Sequence, residues 1–463
     1  MKKLFLAVAA LPLLALAVPA AAPAQNASAQ AERLREAALK DDLAWDIVEG
    51  LTTEVGPRLA GTEAEARARD WAVRRLRALG FSNVRIEEFE IPVWVRGEEK
   101  AQIVSPFPQP LTVTALGNSG ATPATGIEAQ VVGFDSVAEL RSASPEKVRG
   151  KIVYVTHRMA KAQDGSSYGY WGAVRRTAPS IASRHGAAAI VIRSLGTDSH
   201  RFPHTGSQNW SEGATPIPAA ALSNPDADNL ERMLERSKSV RMRILLTPRQ
   251  IGIGKSGNVI AEVPGRDPKA GLVLVGGHLD SWDLGTGAVD DGAGVAITAA
   301  AAKRVMDAGR PRRTIRLVWF GAEEAGLFGG EEYRKQHADE FHASASESDF
   351  GAGRIWRVDF GLPASGSAVA DRVEAALAPL GIARGADPAR GGPDIGTLVA
   401  GGVPGITLQQ NGTDYFDLHH TPDDTLDKID KEQLRQNVAA YTAMIAIVAN
   451  APENWTHNPA ATR

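Results

Sequence analysis

Two short, largely apolar runs, 271–275 (Gly-Leu-Val-Leu-Val) and 314–320 (Thr-Ile-Arg-Leu-Val-Trp-Phe), flank an alanine-rich stretch at 295–308. Apolar runs of this length, without polar alternation, suit strands covered on both faces. The stretch between them is long enough for a helix. Further on come a helical pattern near 369–380, a strand-like run at 405–408 and a closing helix over 431–449. Strand and helix in alternation predict an α/β chain: a three-layer α/β/α sandwich with a mixed, mostly parallel central sheet. In such sheets, sites form beyond the carboxyl ends of the strands.

The chain ahead of this pattern divides in two. Residues 31–51 carry apolar positions at three- and four-residue spacing and predict one helix. Thr62 reads as the N-cap of a helix over 63–79, with Glu65 as its capping partner and Gly80 as its stop. Residues 83–95 alternate like a strand. From about 112 to 255 the texture changes. Short β-like runs (129–132, 150–156, 188–192, 240–246) alternate with helical stretches and Gly/Pro-rich loops, and no carboxylate cluster stands at ligand spacing. Residues 112–255 therefore read as an inserted domain, and 31–111 with 256–452 as the domain that carries the chemistry.

Of the 463 residues, 43% are hydrophobic and 23% charged, and the formal net charge is -3. That balance gives no footing for a nucleic-acid partner or an anionic membrane surface. Met1-Lys2-Lys3, an apolar run over 4–18, and small residues at Ala22-Pro23-Ala24 and Ala27-Ser28-Ala29 read as a secretory signal peptide, assigned to 1–24. The run is shorter than the ~20 residues a membrane span needs. A secreted or periplasmic protein, free of the membrane once the signal is cleaved, is expected. There is no cysteine, which excludes a lipid-modified cysteine and disulfides, and leaves any metal to His, Asp and Glu.

Such residues cluster. His278 follows the first apolar run, with Asp280 two residues on, placed to accept a ring N–H and fix the tautomer a metal needs. Asp290 and Asp291 stand in a glycine-rich turn before a helix. Asp291 suits an N-cap, whereas Asp290 suits a carboxylate that approaches two ions. Glu323 and Glu324 follow a buried-looking strand, where one would bind metal and the other serve as a free general base. Asp349 competes with Asp359, and His419 with His420, because adjacent histidines point in different directions. Two His, a bridging-type Asp and further carboxylates are the ligand set of a two-zinc hydrolase.

The segments Gly277-His278-Leu279-Asp280-Ser281-Trp282-Asp283, Gly287-Ala288-Val289-Asp290, Ala322-Glu323-Glu324, Glu347-Ser348-Asp349 and His420-x-x-x-Asp424-Thr425 resemble, in order, the pattern of the M28 family of di-zinc peptidases, and within it the carboxypeptidase Q group of secreted dipeptidases. Arg149-Gly150-Lys151-Ile152-Val153 is similar to a phrase of protease-associated domains, and Pro203-His204-Thr205-Gly206, inside the inserted segment, adds to the resemblance to the carboxypeptidase Q group. The resemblance implies His278 and Asp349 on one zinc, Glu324 and His420 on the other, Asp290 bridging both, Glu323 as general base and Asp280 as the group that orients His278. It selects Asp349 over Asp359 and His420 over His419. It further implies two Zn2+ ions, a peptide substrate with a free N-terminus and a homodimer. A broad aminopeptidase is the near alternative to a dipeptidase. A receptor-like binding protein on the same fold is remote because every expected ligand is present, and the intact second-site residues argue against a single-zinc glutaminyl cyclase. His200 and His204 read as loop packing, the alternative being a loop that reaches over the site. Asp394 reads as an N-cap, the alternative being a pocket-lining carboxylate.

Overall fold

The computed structural model describes residues 23–455. The expected leader at 1–24 lies, but for its last two positions, outside the described residues. The single helix expected over 31–51 is two, Pro23–Ala38 and Leu43–Glu54. The break falls at Asp41-Asp42, where the Asp41 carboxylate accepts the Leu43 N–H at 2.9 Å. Aspartate offers the backbone such local bonds in competition with a helix. Thr62 caps the helix Glu63–Ala78 as expected, accepting from the Glu65 N–H. Glu65 reaches back one residue further, to the Gly61 N–H at 2.7 Å.

The central sheet runs in the order Ser82–Val95, Arg249–Val263, Thr314–Phe320, Leu272–His278, His342–Glu347. Its first two pairings are antiparallel and its last two parallel. A three-stranded sheet of Ala383–Arg384, Ile355–Phe360 and Ile406–Gln410 adjoins it through a parallel bridge between Ala345 and Gly405. Side chains alternate between two cores, as the period of a strand requires. Val273, Val275, Ile315, Leu317 and Trp319 pack with the helices Ala293–Asp307 and Lys431–Asn450 on one face. Leu272, Leu274, Val318 and Phe320 pack with Tyr333, Ile395 and Leu398 on the other. This makes three layers, and the buried Arg316 in mid-strand is held by Glu262 and Tyr333. No helix among the described residues is long and apolar enough to cross a membrane.

A second sheet of eight strands is drawn wholly from residues between Glu99 and Leu246. Strands Glu99–Ser105 and Gln109–Leu111 belong to it, ahead of residue 112, while residues 249–255 belong to the central sheet. The chain leaves the central sheet at Val95 and returns at Arg249, where the two are paired partners.

Glu231, on the helix Asn224–Arg236 of this segment, accepts from the Tyr154 hydroxyl at 2.7 Å and from Thr156, Arg158 and Arg193. Burial works to raise its carboxyl, but bonds from Arg158, Thr156 and Tyr154 outweigh that and hold it at about 2. A depressed carboxyl lends stability that is present above its ordinary value and lost as pH falls toward the folded one. Denaturant unfolding of the whole protein should therefore lose roughly 1–2 kcal/mol more between about pH 5 and pH 3 in the wild type than in Glu231→Gln, the exposed Arg158 being screened by solvent. Equal slopes would show that the network lends no acid-sensitive stability.

Candidate active site

Five chain segments converge beyond the carboxyl ends of the parallel strands of the central sheet. His278 is the last residue of its strand, and Glu347 the last of the strand beside it, two residues before Asp349. Glu323 and Glu324 open a short helical turn after Thr314–Phe320, following Ala322 at φ +57°. His420 lies beyond Ile406–Gln410 at φ +62°. Asp290 comes from the turn after Gly287, and its peptide bond to Asp291 is cis. Gly294 lets the following helix press close. A β-carbon there would lie 1.8 Å from the Ser348 carbonyl oxygen and 2.3 Å from Asp291 Oδ1.

Asp290 stands between the two imidazoles. Its Oδ1 is 3.0 Å from His278 Nε2, and its Oδ2 is 3.3 Å from His420 Nε2. Asp349 Oδ1 lies 3.6 Å from His278 Nε2, and Glu324 Oε2 lies 3.0 Å from His420 Nε2. His278, Asp290 and Asp349 form one possible ligand group, and His278, Glu323 and Glu324 another. His419 also groups with Asp290 and His420, but its Nε2 is 3.7 Å from Asp290 Oδ2 and its ring stacks on that of His420. Asp359 lies apart, on the strand Ile355–Phe360, bonded to Arg357.

The outer ring nitrogens decide what the inner ones can do. His278 Nδ1 is 2.9 Å from the Asp280 carbonyl oxygen, and His420 Nδ1 is 3.2 Å from that of Thr205. A carbonyl only accepts, so each Nδ1 carries hydrogen, and in the neutral ring Nε2 then presents a lone pair; Arg175 Nη1 shares the Thr205 carbonyl and lies 3.4 Å from His420 Nδ1. The Nε2 lone pairs face carboxylate oxygens, and the buried Glu324 Oε1 has no hydrogen-bond partner among the described residues. Such an array repels itself unless a proton or a cation sits between its members. With protons alone, burial lowers the His420 imidazole, but Glu324 and Asp290 overcome it and hold the ring at about 10. His278 is likewise held well above its usual range against burial, chiefly by Asp349 and then Asp290. Hard, all-oxygen-and-imidazole donors with opposed lone pairs fit divalent cations.

Asp280 does not orient His278 as expected. Its carboxylate is 3.8 Å from His278 Nδ1, and the main-chain oxygen makes that bond instead. The carboxylate turns to the neighbouring strand end, accepting the Glu323 N–H at 3.0 Å and the Glu324 N–H at 3.2 Å. The two N–H groups at the start of the neighbouring helical turn have no main-chain partner and draw the carboxylate to them. Asp291 is not the N-cap of the helix Ala293–Asp307, a place Gly292 takes, but its carboxylate accepts the Gly294 N–H at 3.0 Å and the His278 N–H at 3.1 Å.

Glu323 lines a cavity of about 450 Å3 together with Asp290, Glu324, Asp349 and His420. Its carboxylate makes no hydrogen bond among the described residues. Burial above all, then Glu324, Asp349 and Asp394, push it well above the usual carboxylate range, with His278 opposing. A carboxylate that is partner-free, raised and facing a cavity suits proton transfer. The opposite wall of the cavity comes from Tyr168, Arg175, Arg176 and Gln208 of the second sheet's segment.

Three residues to which sequence reasoning gave no role hold this site: Asp424 and Glu347, which stand in the quoted motifs, and Arg58. Asp424 accepts the Val289 and Asp290 N–H groups at 2.6 and 3.2 Å. The buried Arg58 donates to the Leu279, Thr286 and Gly287 carbonyls around the same turn. Glu347 accepts from the Asp394 and Ile395 N–H groups. Asp394 itself is no N-cap of the helix Gly396–Ala400, which follows Ile395. It is buried and accepts from the Gly330 N–H at 3.2 Å, tying that loop to the helix Phe328–Gln336. Loop packing describes His200, whose side chain is 55% exposed, but not His204, which is buried against His419. Asp280→Asn should leave one of two turn N–H groups unpaired. Denaturant unfolding of the chelator-treated protein is expected to show a loss of about 1–3 kcal/mol, and an unchanged midpoint would mean the carboxylate does not hold the turn.

Residues 258–445 match the model of peptidase family M28. The bovine (Bos taurus) carboxypeptidase Q is 34% identical over 410 residues, covering 87% of this chain and 84% of that protein. The crystal structure of a peptidase M28 precursor from Shewanella amazonensis SB2B is 48% identical, with a TM-score of 0.91 over 94% of this chain and 100% of the other. BSAP, a zinc aminopeptidase from Bacillus subtilis, is 19% identical and shares the fold, with a TM-score of 0.63 over 90% of this chain and 97% of its own. With a relative above 30% identity aligned along most of both chains, this chain belongs to the metallopeptidases of family M28.

Proposed function

We propose that this protein is an exported exopeptidase that uses two zinc ions to hydrolyse dipeptides or remove the N-terminal residue of short peptides. The observation that carries the reading is Asp290, which offers one oxygen to each of two imidazoles whose lone pairs face it. His278 and Asp349 would hold one zinc, Glu324 and His420 the other, and Asp290 both. Bound there, the cations would polarise the scissile carbonyl and acidify the attacking water. Glu323 takes the proton of that water on its carboxylate and returns it to the leaving amine. Asp280 keeps Glu323 and Glu324 in place through their N–H groups.

The zinc content of BSAP and the identity with carboxypeptidase Q support zinc and a peptide substrate. In this reading residues 1–24 are a signal peptide, the mature protein is secreted or periplasmic and forms a homodimer, and the segment that carries the second sheet, 99–246, is a protease-associated insertion within the catalytic unit. Neither nucleic acid nor membrane is a partner.

Zinc-loaded mature protein should cleave a free dipeptide and leave its N-acetylated form intact. The same dipeptide extended by one residue at its C-terminus separates the two exopeptidase readings: resistance marks a dipeptidase, N-terminal cleavage an aminopeptidase. Hydrolysis of the acetylated form would refute both. Glu323→Gln should retain its zinc, by elemental analysis, and lose about 10²–10⁴-fold in kcat; normal turnover in that variant would remove Glu323 from the role of base.

A further inference from the structure

Two consecutive residues of the 99–246 segment grip two consecutive histidines of the site. His204 Nδ1 lies 2.7 Å from the His419 carbonyl oxygen, and its Nε2 lies 2.6 Å from Asp198 Oδ2. Both partners are acceptors, so both ring nitrogens carry hydrogen when both bonds form. The Thr205 N–H donates to the His420 carbonyl at 3.1 Å, and the Thr205 carbonyl accepts from His420 Nδ1 at 3.2 Å. Asp198 is itself tied down. Its Oδ1 accepts the His200 N–H at 2.8 Å, and its carbonyl accepts from Asn224 Nδ2 at 3.2 Å. Ser194 Oγ takes the His204 N–H at 2.8 Å.

The His204 and Asp198 side chains are 0% and 1% exposed. Burying such a pair costs solvation that an apolar filler of equal size avoids, so space-filling alone does not account for it. What the pair delivers is direction: a donor fixed on the one carbonyl oxygen that precedes His420. Direction matters there because His420 sits at φ +62°, a region that disfavours residues with a β-carbon. Backbone of that kind persists where its surroundings over-determine it.

We propose that Asp198, His204 and Thr205 are positioning residues for His420. They hold its backbone in the left-handed turn and its ring with Nδ1–H engaged, so that Nε2 faces Glu324 and Asp290. The 99–246 segment thereby completes one cation position, and the central sheet builds the other, at His278 and Asp349, by itself. This inference rests on the two-cation reading above.

The test is calorimetric titration of zinc into chelator-treated full-length protein, comparing the wild type with His420→Ala, His204→Ala and Asp198→Asn. The wild type should show two steps and His420→Ala only one. His204→Ala should weaken the step that His420→Ala abolishes by about 10–100-fold, and leave the other within about twofold. Asp198→Asn, which keeps the volume, should weaken the same step about tenfold, and it decides the matter if His204→Ala does not fold. Two unchanged steps in the folded variants, or two steps that fall together, would overturn the inference. A wild type that takes a single cation refutes the two-cation reading instead. The grip then stands if His204→Ala and His420→Ala weaken that single step alike, and falls if they do not.

Discussion

Asp290 shares its two oxygens between imidazoles 3.0 and 3.3 Å away, with hardly any contact with solvent. Lone pairs meet lone pairs on both sides, and the arrangement holds only if positive charge enters between them. The rest of the structure acts to make Asp290 stay there. Asp424 takes the two N–H groups at its turn, Arg58 takes the carbonyls behind it, and Asp291 fastens the next residue to the His278 N–H. A carboxylate free to swing would move to water. This one is clasped through its own backbone, so its charge is retained where it is costly.

The same economy governs Glu323 and Glu324. Neither carboxylate is needed to hold the turn that carries them, because Asp280 takes both of their N–H groups. That division frees one side chain to face His420 and leaves the other without a hydrogen-bonding partner in the cavity. Asp280, 0% exposed, is a structural anion whose work is done on main chain, and the raised carboxyl of Glu323 follows from the burial that this placement imposes.

The strands at Leu272–His278 and Thr314–Phe320, the helix between them and the capped helix after Thr62 were legible from residue pattern because each rests on local chemistry: apolar runs, small residues and a side-chain cap. The candidates His278, Asp290, Glu323 and Glu324 were legible from residue type and spacing, whereas Asp349 was separated from Asp359, and His420 from His419, only by the resemblance to family M28. What escaped depended on long-range contact. Nothing within ten residues of Arg58 says that its guanidinium ends beneath a turn more than two hundred residues later. The Asp280 carboxylate was assigned to the wrong donor because spacing along the chain gives proximity and not direction. His204 looked like any loop histidine, since the carbonyl it bonds belongs to a segment far along the chain. The helix expected over 31–51 was mistaken at Asp41-Asp42, where a single side-chain bond outweighed periodicity.

The pairing of Val95 with Arg249 has an evolutionary reading. Everything between them begins and ends at neighbouring positions of one two-stranded ribbon, so a few turn residues suffice to join the strands directly. Loop-closure entropy grows only logarithmically with length, so a long excursion strains that ribbon little more than a short one. The segment is thus in principle separable, gained or lost without disturbing the register of the central sheet. A descendant that dropped it would keep the turn of Asp290 and the helix behind it, but would have to find another carbonyl for the ring of His420. The point of insertion is cheap for the fold, and its constraint is exerted far away, on a single imidazole.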